Sequence, residues 1–238
     1  MITGREVIRG LDASTVEIAG PLDLSLAASA FAVFSRNGKM QEFGAGGREF
    51  AASVAERLGI ELDEEYSFRG HRLRTGRTSR YDPRSRAVEV VRIGVWEGDT
   101  HSVQAVVTGG EAADVITLFH EFDFHEDAAG VVVTPRVAGD PAWMISRDYP
   151  PTVAQPVPRL GLIEVAEMTR ERARHVPLWG GQKVEGGELF LDDSTPQQPS
   201  LLLVGERTWT RIYPRGGTPE DVIVDMASAL TVHWTTAA

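Results

Sequence analysis

Gly109-Gly110-Glu111-Ala112-Ala113-Asp114-Val115-Ile116 returns 107 residues later as Gly216-Gly217-Thr218-Pro219-Glu220-Asp221-Val222-Ile223, matching at five of eight positions without a gap. Each copy follows a β-like run, at 103–107 or 210–213, and each leads into a helical pattern. Val115, Ile116, Phe119 and Phe122 fall at the spacing of one helix face, as do Val222, Ile223, Met226 and Leu230. Thr218-Pro219-Glu220-Asp221 supplies an N-cap hydroxyl, a proline at the first helical position and two acids where unpaired amides favour negative charge. Thr108-Gly109-Gly110-Glu111 makes a looser version of the same entry.

A weaker third copy follows residues 39–43, where Gly46-Gly47 precedes a stripe of Phe50, Val54 and Leu58 and a strand-like run at 60–62. The runs at 87–96 and 201–204 read as first strands, with Glu97-Gly98-Asp99 and Gly205-Glu206-Arg207 as hairpin turns. The repeating unit is therefore strand, turn, strand, Gly-Gly, helix. It predicts an α+β fold, pseudo-symmetric and two-lobed, with antiparallel sheets and helices packed on one face. The period is too long for a solenoid repeat. Pro150, Pro151, Pro156 and Pro158 remove backbone donors within nine residues. They predict a linker at 150–158 between an N-terminal lobe, 1–149, and a C-terminal lobe, 159–238. The segment 160–174 stays open: Leu160, Ile163 and Met168 suit a helix.

The 238 residues include no cysteine, which excludes disulfides, thiolate metal sites and thiol nucleophiles. A formal charge of −10 disfavours general nucleic-acid binding, because neutralising phosphates requires a basic face. Of 24 basic residues 22 are Arg, and only Lys39 and Lys183 are Lys. No apolar region follows the N-terminal charges as in a signal peptide, and no apolar run is long enough to span a bilayer. A cytoplasmic location and no membrane partner are expected.

At the hairpin-helix segments the sequence resembles the EspG family, cytoplasmic chaperones of type VII (ESX) secretion. Val91-Arg92-Ile93-Gly94-Val95-Trp96-Glu97-Gly98-Asp99-Thr100 into Asp114-Val115-Ile116 is similar to the central family pattern. Gly205-Glu206-Arg207-Thr208-Trp209-Thr210-Arg211-Ile212-Tyr213-Pro214 into Pro219-Glu220-Asp221-Val222 is similar to the C-terminal one, with Trp209 at the usual tryptophan. Arg170-Glu171-Arg172-Ala173-Arg174 looks like the family's Arg-rich turn. The resemblance runs from about residue 88 to 238; residues 1–86 depart from the pattern. It implies a two-lobed fold, a strand within 160–174, no catalysis, and binding of a helical tip of a secreted client.

Other constellations are weaker. His120-Glu121-Phe122-Asp123-Phe124-His125-Glu126 has a five-residue step where a zincin needs four. As a strand it places Phe122, Phe124 and Glu126 on one side and Asp123 and His125 on the other. In Gly44-Ala45-Gly46-Gly47-Arg48-Glu49 the third glycine of a dinucleotide fingerprint is replaced by a carboxylate, so it reads as a turn. No Gly-x-Ser-x-Gly elbow occurs. Asp192-Asp193 and Asp63-Glu64-Glu65 read as surface charges, and Trp143, Trp179, Trp209 and Trp234 are too dispersed to define a pocket.

Arg69, Arg72, Arg74, Arg77, Arg80, Arg84 and Arg86 share eighteen residues with a single acid, Asp82. The window reads either as a phosphate or RNA contact with Tyr81 stacking, or as an exposed hairpin loop, since seven repelling charges resist packing. The candidate partner-binding residues are Arg72, Arg74, Arg77, Arg80 and Tyr81 in this loop, and Trp209 on the exposed face of the second hairpin. The expected function is non-catalytic binding of another protein, without cofactor or metal, nucleic acid being disfavoured. An immunity protein against a toxin, or a metal-assisted hydrolase using His120, Asp123 and His125, are the alternatives.

Overall fold

The computed structural model describes residues 4–82, 86–136, 142–178, 180–192 and 200–237. A hairpin of β1 (Gly4–Arg9) and β2 (Thr15–Gly20) opens the chain. Then come β3 (Ser29–Arg36), β4 (Lys39–Gly47), α1 (Phe50–Arg57) and β5 (Glu64–Phe68). The strand β6 (His71–Asp82) leads to β7 (Ala87–Glu97), β8 (His101–Thr108), α2 (Ala112–His120) and β9 (Phe122–Asp127). After β10 (Gly130–Pro135) and β11 (Met144–Ile145) follow β12 (Thr152–Val157), β13 (Gly161–Glu167), α3 (Arg170–Ala173) and β14 (Gln182–Val184). The last elements are β15 (Gly187–Asp192), β16 (Ser200–Val204), β17 (Thr208–Pro214), α4 (Glu220–Ser228) and β18 (Thr231–Thr235). Among the described residues the order strand, strand, helix, strand thus occurs four times. Three of these modules begin at the Gly-Gly hairpins picked out in the sequence, and the fourth is β12, β13, α3 and β14.

The fold is largely antiparallel β, with short helices. Two compact units form, one of residues 1–10, 14–28 and 151–238, the other of residues 11–13 and 29–150. In the second unit the strands run β3-β4-β8-β7-β6-β5, and β11 pairs β3. Two-residue turns join neighbours here: Asn37-Gly38 and Arg69-Gly70 both take positive φ, the geometry that matches strand twist. Pleat alternation divides each strand between two faces. Ile93 and Val95 meet Ala51 and Ala55 of α1, with Phe50 and Val54 beside them. Gly94, between them in the chain, points the other way, where a Cβ would lie 2.4 Å from Val115 Cγ1 and 2.7 Å from Phe119 Cε2 of α2. In this unit the helices therefore divide between the two faces, where the sequence predicts one. The face under α2 also takes β9, through T-shaped contacts of Phe43 with Phe34, Phe119 and Phe122 at ring distances of 5.7, 5.8 and 4.7 Å.

The first unit holds a sheet in the order β14-β15-β16-β17-β13-β12 and a smaller one, β1-β2-β18. Residues 4–10 and 14–28, expected in the N-terminal lobe, belong to this unit because β18 closes on β2, Val232 opposite Ile18. The expected linker is corrected as well: Thr152–Val157 is the strand β12, paired with β13. Proline forbids donation, not extension, and three of the four prolines lie outside the strand. Residues 161–167, left open between helix and strand, form β13, with Ile163 and Val165 fully buried.

The helix stripes need one correction. In α4 the buried positions are Ile223, Ala227 and, just past its end, Leu230, while Val222 is 40% exposed. In α2 the buried set is Val115, Leu118 and Phe119. The same Asp-Val-Ile thus buries valine in one copy and isoleucine in the other. Asp114 accepts from the Glu111 amide at 2.7 Å, closing the entry of α2. Thr218 is not the N-cap: its hydroxyl donates to the Arg159 carbonyl at 2.7 Å, and α4 starts at Glu220. Among the described residues no helix is long and apolar enough to cross a membrane.

The contact at Gly94 predicts a direct test. Gly94→Val should destabilise the protein by about 1–3 kcal/mol, as overpacking of a close contact does. A denaturation midpoint equal to that of the parent would contradict the helix placement.

Candidate functional site

From His71 to Asp82 the arginine-rich window is a strand, and at its base the charges are opposed by acids. Leu73, Thr75 and Gly76 are buried, and β6 pairs β7 along the whole run from Arg72↔Glu97 to Asp82↔Ala87. Carboxylates brought in by the neighbouring elements meet the arginines at its base. Arg72 reaches Glu97 at 2.6 Å and Glu65 at 3.7 Å, and Arg74 reaches Glu97 at 3.3 Å and the Leu62 carbonyl at 2.9 Å. Arg69 pairs with Asp123 and donates to the carbonyls of Phe122 and His120. Arg92 of β7, 3% exposed, meets Glu64 at 3.2 Å and Thr75 at 3.3 Å. Hydrogen bonds from Thr75 and Tyr66, with the Arg92 guanidinium, hold the Glu64 carboxyl below its ordinary range against a smaller effect of burial. Arg72 and Arg74 are thus committed to ion pairs inside the unit. The expectation that the charges resist packing fails because β5, the end of β7 and β9 supply the acids.

Beyond this base no third strand accompanies β6 and β7 among the described residues, and the Gly109 amide donates to the Val90 carbonyl at 2.8 Å. The pairing of β5 with β6 stops at Glu64↔Thr75, and that of β8 with β7 stops at Thr108↔Val91. Residues 76–82 and 87–90 consequently form a two-stranded ribbon. Tyr81 and Val88 are directly paired, as are Ser79 and Val90, so these side chains share one face. They stay open to solvent: Tyr81 is 59% exposed, Val88 69% and Val90 40%. Arg77 lies on the same face, exposed and without an ion pair among the described residues, and Arg86 is exposed at the ribbon's end. The backbone of Arg80 belongs to β6; its side chain and Arg84 lie outside the described residues. Val88 and Val90 were absent from the sequence candidates, although their alternation within 87–96 is the signal that places them on one face.

Trp209, expected on an exposed face, is instead 8% exposed and packs with Phe190 and Leu202. The Arg172 and Arg211 guanidinium groups lie 5.4 and 4.6 Å from its ring centroid. The segment carrying Met168 and Val176 closes this face of the sheet. Trp209 is accordingly a core residue. The same unit has a cavity of about 700 Å³ lined by Leu191, Leu201, Ile223 and Val224, with Arg215 and Glu220 at its polar end. Among the described residues of the lining no hydrogen bond joins Ser200 or Thr218 to Glu220 as a nucleophile to a base, and the Thr218 hydroxyl is given to the Arg159 carbonyl. Trp179 and Asp193 lie outside the described residues.

The histidine cluster is a strand, β9, as its alternation predicts. Phe124 stacks on Trp96 at 5.3 Å, while on the other side Asp123 pairs with Arg69 and, at 3.6 Å, with Arg136. His120 packs against Phe68 at 4.8 Å and His125 is exposed. Among the described residues no three His, Asp or Glu side chains gather in a metal-binding group. Glu126 has a different task. It accepts from the amides of Asp99, Thr100 and His101 at 2.8, 2.7 and 2.7 Å, from the Thr100 hydroxyl, and from His101 Nδ1 at 2.9 Å. Burial raises its carboxyl pKa, but the hydrogen bonds from Thr100, His101 and Asp99 outweigh this and hold it at about 2, against an ordinary 4.5.

No protein-family model matches the chain, and neither the curated proteins nor the solved structures give a significant match.

Because the Glu126 carboxyl is depressed in the folded state, its stabilisation is complete above pH 4.5 and is lost as pH falls toward 2. The stability gap between the parent and Glu126→Gln should be widest at neutral pH and close across that window. Urea unfolding at pH 7, 4 and 3 measures it, and a gap independent of pH would refute the clasp.

Proposed function

We propose that the protein is a non-catalytic protein-binding protein, a cytoplasmic chaperone or adaptor that covers an apolar patch of a client. The observation that carries this reading is the β6–β7 ribbon. It holds an aromatic and two aliphatic side chains in water on one face, beside Arg77 and Arg86, which are exposed and without an ion pair among the described residues. Such a surface gains free energy when a partner buries it.

The resemblance of residues 88–238 to EspG-like chaperones supports the same class and names a helical secreted protein as the first client to test. The pseudo-symmetric, two-lobed arrangement belongs to this proposal, drawn from the repeated strand, strand, helix order. An immunity protein for a basic toxin asks for an acidic contact surface, whereas the exposed ribbon is basic. A hydrolase asks His120, Asp123 and His125 to converge, yet Asp123 is engaged by Arg69 and Arg136 and His120 by Phe68.

Tyr81→Ser combined with Val88→Ser alters exposed positions only, so the fold and thermal midpoint should be retained. Co-expression with small helical proteins encoded beside the gene should give a stoichiometric complex with the parent chain. The double variant should bind at least about tenfold more weakly, as expected when two central contacts are removed. Equal capture by both, or recovery of nucleic acid alone, counts against the proposal.

A further inference from the structure

Among the described residues the outer edge of β6 is unpaired where the ribbon leaves the sheet. The partner strand β5 ends at Thr75, and among the described residues no backbone hydrogen bond outside the β6–β7 ladder engages residues 77–82. In an antiparallel ladder alternate residues turn both N–H and C=O away from the paired strand, so this edge presents a row of unmet donors and acceptors. We infer that it accepts an extended acidic segment of the partner, added as a strand along residues 77–81. The inference rests on the ribbon being a protein contact, and it adds the form and charge of what binds.

Side chains set the preference. Arg77, Ser79 and Tyr81 share one face of β6. An added strand places an acid beside Arg77, a small residue beside Ser79 and an apolar residue beside Tyr81, with Val88 one strand further on. A second copy of this chain is disfavoured, because its residues 77–81 bring two further arginines and no acid to the shared edge. Nucleic acid is disfavoured too: phosphates do not satisfy a row of alternating donors and acceptors, and beside Tyr81 the aliphatic Val88 and Val90 add no further stacking surface. Arginine on an edge strand thus blocks self-pairing and admits an acidic peptide through the same charge.

The test uses the full chain and fluorescence anisotropy with a labelled nine-residue peptide that carries Glu, Thr and Val in turn at its odd positions, so that acid, small and apolar residues share one face. Two analogues are N-methylated at the odd or at the even residues; a third replaces Glu by Lys; an oligouridylate of similar length completes the set. Strand addition predicts that the parent peptide binds and that one N-methylated analogue loses about tenfold while the other does not, since only one set of amides faces β6. The Lys analogue binds more weakly, and Arg77→Glu reverses that preference by about threefold while leaving the far-UV circular dichroism unchanged. Equal binding by both methylated analogues, or no binding of the acidic peptide, overturns the strand and leaves client capture by the Tyr81/Val88 variant to judge the ribbon. Binding of the oligouridylate in place of every peptide overturns both.

Discussion

The packing of Phe43 against Phe34, Phe119, Phe122 and Phe124 fixes the rest of the second unit. These rings bury a large apolar area and close only if α2 and β9 lie flat on the sheet, which Gly94 allows by leaving room for Val115 and Phe119. Once Phe122 and Phe124 face inward, the period of two leaves no freedom for the rest of β9. Asp123 must face outward, where Arg69 finds it. Glu126 must face inward, where it takes the amides of the β7–β8 turn. Two electrostatic contacts that look independent thus follow from one aromatic core.

The same topology sorts the arginines. At the base of β6 the cations are flanked by strands that carry Glu64, Glu65 and Glu97, and Arg69 is met by Asp123 of β9. Toward the tip the flanking strands end, and with them the acids they carry, which leaves the ribbon's own Glu89, opposite Arg80 in the register, and Asp82. A run that is mostly basic in sequence is tied to acids at its base, while among the described residues Arg77 and Arg86 stay exposed toward the tip. The apolar pair Tyr81 and Val88 lies at the cationic end, away from helices that could cover it. This gradient, more than the number of arginines, gives the ribbon the character of a contact surface.

Much of the fold was legible because it rests on local signals. The hairpins, the Gly-Gly helix entries and the alternation in β9 all follow from short stretches whose backbone preference and side-chain period agree. Asn37-Gly38 is an equally local hairpin signal that sequence reading passed over. Which face each helix covers was not legible, because an amphipathic stripe states that a helix is covered and not by what. The proline-rich strand β12 was hidden for a similar reason: its extended conformation is ordinary for proline, and its pairing with β13 is a tertiary fact. Of the candidate site, Arg77 and Tyr81 lie on the exposed ribbon, Arg72 and Arg74 are tied into ion pairs, and Trp209 is core.

By itself the sequence determined the repeated strand, strand, helix unit, the absence of thiol chemistry and the concentration of positive charge between residues 69 and 86. Each is a property of neighbouring residues or of composition. Tertiary structure alone decided that β1 and β2 pair with the C-terminal strand β18, that α1 and α2 take opposite faces, and which arginines are neutralised. Those outcomes depend on contacts between residues distant in the chain, as between Arg69 and Asp123, and local preference carries no information about which distant carboxylate will arrive.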